Sequence, residues 1–181
     1  LGLCDAERGG DFITPDDAQK FVLNLEARKD FPQVFVTKLL KASDVHRRVP
    51  MDAVVVRRFD AKGQLIGELH FYGLFTSVTY SRGISTVPYL WYKVEQIMKQ
   101  AGFESAEHSG RALRHILEKY PRDELFQISH EKLFKICMEI LRLQERPRIA
   151  LFMRRDPFAR TVTCLVYLPR NRYDTDRKSV V

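Results

Sequence analysis

Long apolar runs are missing from this sequence. Nowhere do roughly twenty consecutive apolar residues occur, so no membrane-spanning helix is expected. Cysteine is scarce: Cys4, Cys137 and Cys164 are an odd set with no CxxC pair. That pattern argues against a disulfide framework or a zinc site, and in a reducing cytoplasm Cys137 and Cys164 read as small buried hydrophobes. The catalytic and nucleotide-binding signatures are absent as well. There is no G-x-G-x-x-G, no P-loop, no H-E-x-x-H and no G-x-S-x-G elbow. The histidines, at 46, 70, 108, 115 and 130, lack ligand spacing to each other or to the cysteines. Adjacent carboxylates such as Asp123 and Glu124 point apart on a helix. No catalytic residue, metal ligand or cofactor-binding residue is therefore assigned.

What is present is enough for a folded core. The chain has 181 residues, 45% of them hydrophobic, which suits one full domain or one domain and part of another. It opens on Leu1 rather than Met, without a secretory leader, and stops in a polar stretch. A piece of a longer cytoplasmic protein is expected. The net charge of +7 is unevenly placed, with +6 of it in residues 142–181 and +1 in residues 1–141. A basic hairpin and tail, rather than a basic folded face, argues for meeting an acidic neighbouring domain or subunit and against nucleic acid.

The chain is organised around residues 45–80. Two β-rich runs, 51–59 and 64–76, flank Asp60-Ala61-Lys62-Gly63, a four-residue hairpin loop in which Gly accepts positive φ. In the second run Leu65, Leu69, Phe71 and Phe75 share one face at period two, and Gly67 and Gly73 on that face leave space across the strand. Before the hairpin, Thr14-Pro15-Asp16-Asp17 predicts a helix start, and a strand runs from Val34 to Leu40. That strand puts Val34, Val36 and Lys38 opposite Phe35, Thr37 and Leu39. His46, Arg47 and Arg48 form the one cluster suited to holding an anion.

After Tyr80 the apolar period becomes 3.6. One helix starts at Ser85 or Thr86 with Pro88 in its first turn. It carries Leu90, Val94, Ile97 and Ala101, widened by Trp91 and Met98, and ends at Gly102. A second, capped by Ser109, buries Leu113, Ile116, Leu117 and Tyr120. Residues 123–128 read as a turn. A third helix, capped by Ser129, buries Leu133, Ile136, Cys137, Ile140 and Leu141. These stripes are core packing and need no cofactor. Two last strands, 148–155 and 161–168, flank Asp156-Pro157; neither face of the second is plainly polar, so it is expected to be covered on both sides.

Several runs, in order, resemble the amino-terminal regulatory region of the large bacterial NAD-specific glutamate dehydrogenases. They are Thr37-Lys38 with Ser43-Asp44-Val45-His46-Arg47, and Val56-Arg57-Arg58-Phe59-Asp60 with Gly63. Next come Gly73-Leu74-Phe75-Thr76-Ser77 with Tyr80, and Tyr120-Pro121-Arg122-Asp123-Glu124-Leu125-Phe126-Gln127. Last is Leu143-Gln144-Glu145-Arg146 through Arg154-Arg155-Asp156-Pro157-Phe158 to Cys164-Leu165-Val166-Tyr167 and Pro169-Arg170. The resemblance spans about residues 34–177.

It implies an α+β fold: an antiparallel sheet of PAS/GAF- or ACT-like type covered by several helices, with a second, C-terminal β-hairpin. Residues 1–146 would form a sensor-type module with its helical segment at 86–144. Residues 147–181 would open a truncated ACT-like module. The parent would oxidise L-glutamate to 2-oxoglutarate and ammonium with NAD bound in another domain, this segment serving regulation and assembly without catalysis. Other domains of the polypeptide and other subunits of a homo-oligomer are the expected partners. An alternative is an amino-acid-sensing module, binding its effector near Lys38, His46, Arg47, Gly67 and Gly73. A third reading is nucleic-acid binding through the basic end.

Overall fold

The computed structural model describes residues 11–13, 31–43, 48–104, 107–156 and 162–170. The expected helix at residues 14–28 and the His46–Arg47 cluster lie outside them. Two compact units divide the chain, Leu1–Arg82 and Gly83–Val181.

Among its described residues the first unit holds an antiparallel sheet of four strands: β1 (Asp11–Ile13), β2 (Val34–Ala42), β3 (Pro50–Phe59) and β4 (Leu65–Gly73), in the order β1-β4-β3-β2. The turn between β3 and β4 is the one its residues predict. Gly63 takes φ 77°, and its N–H donates to the Asp60 carbonyl at 3.0 Å. The Asp60 carboxylate accepts from the N–H groups of Lys62 and Gln64 at 2.9 and 2.7 Å, fixing the loop from inside. Strand β4 ends earlier than its apolar pattern suggests. The Phe75 N–H turns to the Asp52 side chain, at 3.2 Å, and a short helix, α1 (Ser77–Ser81), follows.

The register sorts the sheet into two faces. Phe35, Val55 and His70 are cross-strand neighbours on one, Val36, Val54 and Phe71 on the other. The first face is the more deeply buried: Phe35, Ala53 and Val55 form its core, with Phe31, Leu39 and Tyr72 against them. Yet in β4 that face is polar. Glu68 and His70 are 1% and 0% exposed, while Phe71, on the side expected to be buried, is 41% exposed. The sequence pattern is overturned here because most of the buried polar atoms find partners among one another. His70 Nε2 meets Glu68 Oε2 at 2.9 Å, and its Nδ1 meets the Tyr72 hydroxyl at 3.0 Å. Arg57 lies 3.7 Å from Glu68 and donates to the Phe31 carbonyl at 2.7 Å. A buried charge that is paired and hydrogen-bonded avoids most of its desolvation cost.

Among its described residues the second unit holds four α-helices and a hairpin. A 3-10 turn at Ile84–Thr86 precedes α2 (Pro88–Ala101); then come α3 (His108–Lys119), α4 (Arg122–Gln127) and α5 (His130–Glu145). Helices α2, α3 and α5 pack on one another. Pro88 sits at the first helical position of α2, where its missing N–H costs nothing. Gly102 ends that helix at φ 69°, as expected. Leu90, Ile97, Leu113, Leu117, Leu125, Ile128, Leu133 and Cys137 are the fully buried core. Two placements differ from the periodic reading. Trp91 is exposed while Lys93 is buried on its helix's inner face, and residues 122–127 form a helix rather than a turn.

The chain closes with β5 (Ala150–Arg155) and β6 (Val162–Tyr167), paired antiparallel. Ala150, Phe152 and Arg154 face the same way as Tyr167, Leu165 and Thr163. The opposite face is open: Leu151 is 57% and Met153 61% exposed, with Val162, Cys164 and Val166 beside them. The expectations of a strand covered on both sides and of a buried Cys164 therefore fail. The hairpin has one partner layer, and among the described residues nothing covers its outer face.

Candidate functional site

In the first unit, register brings Lys38 and Gly73 to one row, on either side of Asp52. The Lys38 ammonium lies 2.6 Å from the Asp52 carboxylate. A Cβ built on Gly73 meets no heavy atom within 4 Å, so the glycine leaves open space beside this pair. Gly67 faces Arg58, six residues along the strand from Gly73, or roughly 20 Å. The structure therefore gathers Lys38 with Gly73 and leaves Gly67 apart.

A buried set of charged groups in the second unit, Lys93, Glu124 and Arg154, is one the sequence reading passed over. Lys93, from the inner face of α2, directs its Nζ at three backbone carbonyls at the end of α4. It donates to Leu125, Phe126 and Ile128 at 2.8, 3.2 and 2.9 Å. An ammonium there satisfies acceptors that the helix leaves without partners and complements the negative end of its dipole. It also rests over the Tyr89 ring, 4.9 Å from the centroid. Burial, with help from the nearby Arg154 guanidinium and against the attraction of Glu124, pushes the Lys93 amine down to about 8.

At the start of the same short helix, Glu124 is buried and turned toward the hairpin. Arg154 of β5 grips its carboxylate with Nε and with a second nitrogen at 3.0 Å, and the Thr163 hydroxyl of β6 donates to it at 2.9 Å. This two-pronged pairing fixes direction as well as distance. Nearby, Tyr120 is buried with its hydroxyl unbonded, and burial raises that phenol far above its ordinary value. Cys137 is held up to about 12 by the same loss of solvent. High values of this kind belong to inert core groups, not to nucleophiles. A sequence signal for the cluster did exist. Lys93 interrupts the Leu90–Val94–Ile97 stripe, and Arg154 falls on the same period-two face as the inward Phe152.

Neither arrangement suits NAD. Among the described residues the positive-φ glycines are Gly63, in the hairpin turn, and Gly102, at a helix C-terminus. Neither makes the glycine-rich phosphate cradle that a dinucleotide needs at a helix N-terminus. No group of three metal-ligating side chains occurs among the described residues. No helix among them is long and apolar enough to cross a membrane.

Two family models meet along the second unit. Residues 87–146 match helical motif 1 of glutamate dehydrogenase, and residues 150–181 match its ACT2 domain. The chain belongs to the NAD-specific glutamate dehydrogenase family. Within that family it is 40% identical to the NAD-specific glutamate dehydrogenase of Pseudomonas aeruginosa over 141 residues, 78% of this chain and 9% of the relative. The enzyme of the same name from Halomonas elongata is 41% identical over 132 residues, 73% of this chain and 8% of that protein. That of Mycobacterium tuberculosis is 30% identical over 123 residues, 68% and 7% respectively. The chain thus spans under a tenth of the length of these glutamate dehydrogenases. No solved structure matches it. In the family's terms, α2, α3, α4 and α5 fall in helical motif 1, and the β5–β6 hairpin falls in the ACT2 match. Lys93 and Glu124 belong to the first, Arg154 and Thr163 to the second.

Proposed function

We propose that this chain is a regulatory and assembly segment of an NAD-dependent glutamate dehydrogenase, with no catalytic activity of its own. The parent enzyme would oxidise L-glutamate with NAD and water to 2-oxoglutarate, ammonium and NADH, in the cytoplasm, using a nucleotide site elsewhere in the polypeptide. The observation that carries this reading is the pair of adjoining matches, a helical motif followed by an ACT-type module, in a chain without a dinucleotide signature. Other domains of the same polypeptide and other subunits of a homo-oligomer are its partners. The test is direct: the purified chain, given L-glutamate and NAD, forms no NADH, and measurable turnover would overturn the reading.

An amino-acid effector is the second reading. It is favoured by the open space that Gly73 leaves beside the ion pair of Lys38 and Asp52. Titration calorimetry with the twenty amino acids decides it. Heat that disappears in Gly73→Val supports the site, and no heat from any of them removes it.

A further inference from the structure

Helix α4 is six residues long, too short to hold itself together, and both of its ends are gripped by charges from other elements. At its C-terminal end the Lys93 ammonium gathers the carbonyls of Leu125, Phe126 and Ile128. At its N-terminal end Glu124 receives Arg154 and Thr163, one from each strand of the hairpin. Leu125 and Phe126, between the two grips, are buried. The same six residues therefore bind α2 on one side and both hairpin strands on the other. Lys93 is 9% exposed, Glu124 5% and Arg154 7%, so water does not loosen these contacts as it loosens surface ion pairs.

A second charged contact, beside the start of the hairpin, is weaker in kind. Arg148 reaches Glu139 of α5 at 3.4 Å, but that pair is largely exposed. The outer face of the hairpin is open. A two-stranded ribbon is marginal by itself, and its position depends on what holds its inner face.

We propose that α4 is the joint that sets the ACT2 hairpin on the helical motif, with Glu124 as the positioning residue and Lys93 as the group that keeps α4 folded beneath it. Removing the carboxylate would free the hairpin while the three long helices stay packed. Removing the ammonium would unravel the end of α4 and reach the hairpin through it. The joint goes beyond the regulatory reading, since it holds whether or not any effector binds.

Hydrogen exchange of the whole 181-residue chain, read by mass spectrometry of peptides, tests it. In Glu124→Gln, exchange at Ala150–Arg155 and Val162–Tyr167 rises at least tenfold, while α3 and α5 stay within about twofold. Thr163→Val, which removes one donor and strands no charge, gives a smaller rise in the same two segments. Lys93→Met raises exchange at Leu125–Ile128 and in the hairpin together. Unchanged hairpin exchange in Glu124→Gln overturns the proposal. So does an equal rise in every helix, in Glu124→Gln and Thr163→Val alike, because that is loss of general packing rather than of a joint.

Discussion

Burial gives Lys93, Tyr89, Tyr120 and Cys137 of the second unit chemistry that their types do not announce. Lys93 holds its proton with a value near 8 in the folded chain, against the 10.5 of a free lysine. Between those values the unfolded chain binds more protons, so the lysine's contribution to stability rises with pH from 8 to 10.5. Tyr89 and Cys137, both raised to about 12, act the other way once an unfolded phenol or thiol begins to ionise. Comparison with Lys93→Met cancels their effect. The difference in unfolding free energy between wild type and Lys93→Met should shift in favour of wild type by roughly 3 kcal/mol between pH 7.5 and 10.5. A flat difference in urea titrations across that range contradicts a buried, depressed lysine. Tyr120 supplies the second case. Its hydroxyl is buried without a partner, so Tyr120→Phe should leave stability unchanged or raise it by about 1 kcal/mol, whereas most core changes lower it. The third is a contrast of thiols: Cys164 is exposed and Cys137 buried. Iodoacetamide in the native chain should mark the peptide bearing Cys164 and spare Cys137 until the chain is unfolded, as peptide mass mapping will read. At this scale the sequence was a partial guide. Alternation could place Cys164 on a strand but not say which face stays open, because that depends on what layer lies beyond.

Elements were more legible than residues, for a physical reason. A turn or a helix end is decided by a few neighbouring side chains, all visible in sequence. Asp60 to Gly63 closes the β3–β4 hairpin as its chemistry requires, and Gly102 ends α2 in the left-handed conformation. The stripes of α2, α3 and α5 came from period alone, and their leucines and isoleucines are largely the ones buried. What failed was α4. It is short, carries three charges in six residues, and is stabilised by Lys93, Arg154 and Thr163, each about thirty or more residues away. No local pattern encodes such a helix. The β4 faces failed for a related reason: Glu68 and His70 look like surface residues until Arg57 and Tyr72 are placed around them. Two glycines separate local from tertiary effects. Gly102→Ala meets open space and carries only the left-handed strain, a loss of about 1 kcal/mol. In Gly110→Ala the new Cβ runs into the backbone carbonyl of Glu104, so the loss should exceed that of Gly102→Ala by at least about 1–2 kcal/mol. Equal melting temperatures for the two variants contradict this ordering.

For the whole molecule, the open face of the β5–β6 hairpin and its charge pull in opposite directions. Leu151, Met153, Val162 and Val166 offer an apolar surface whose burial would favour contact between copies. Arg155 shares that face, and the stretch of residues 142–181 that includes the hairpin carries +6. Two such faces repel as they approach, and the repulsion is screened over about 10 Å at 0.1 M salt. The isolated chain should therefore self-associate through this face more strongly as salt is added. Nucleic-acid binding by the same basic residues has the opposite sign, because it releases counterions and weakens steeply with salt. One experiment separates the two. Sedimentation velocity at rising sodium chloride should show the chain moving from monomer to larger species, and Met153→Glu with Val166→Glu should remain monomeric at the same melting temperature. A chain that stays monomeric at every salt concentration refutes the apolar contact. A complex with a short DNA duplex, present at low salt and lost at high salt, would give the basic end its other meaning.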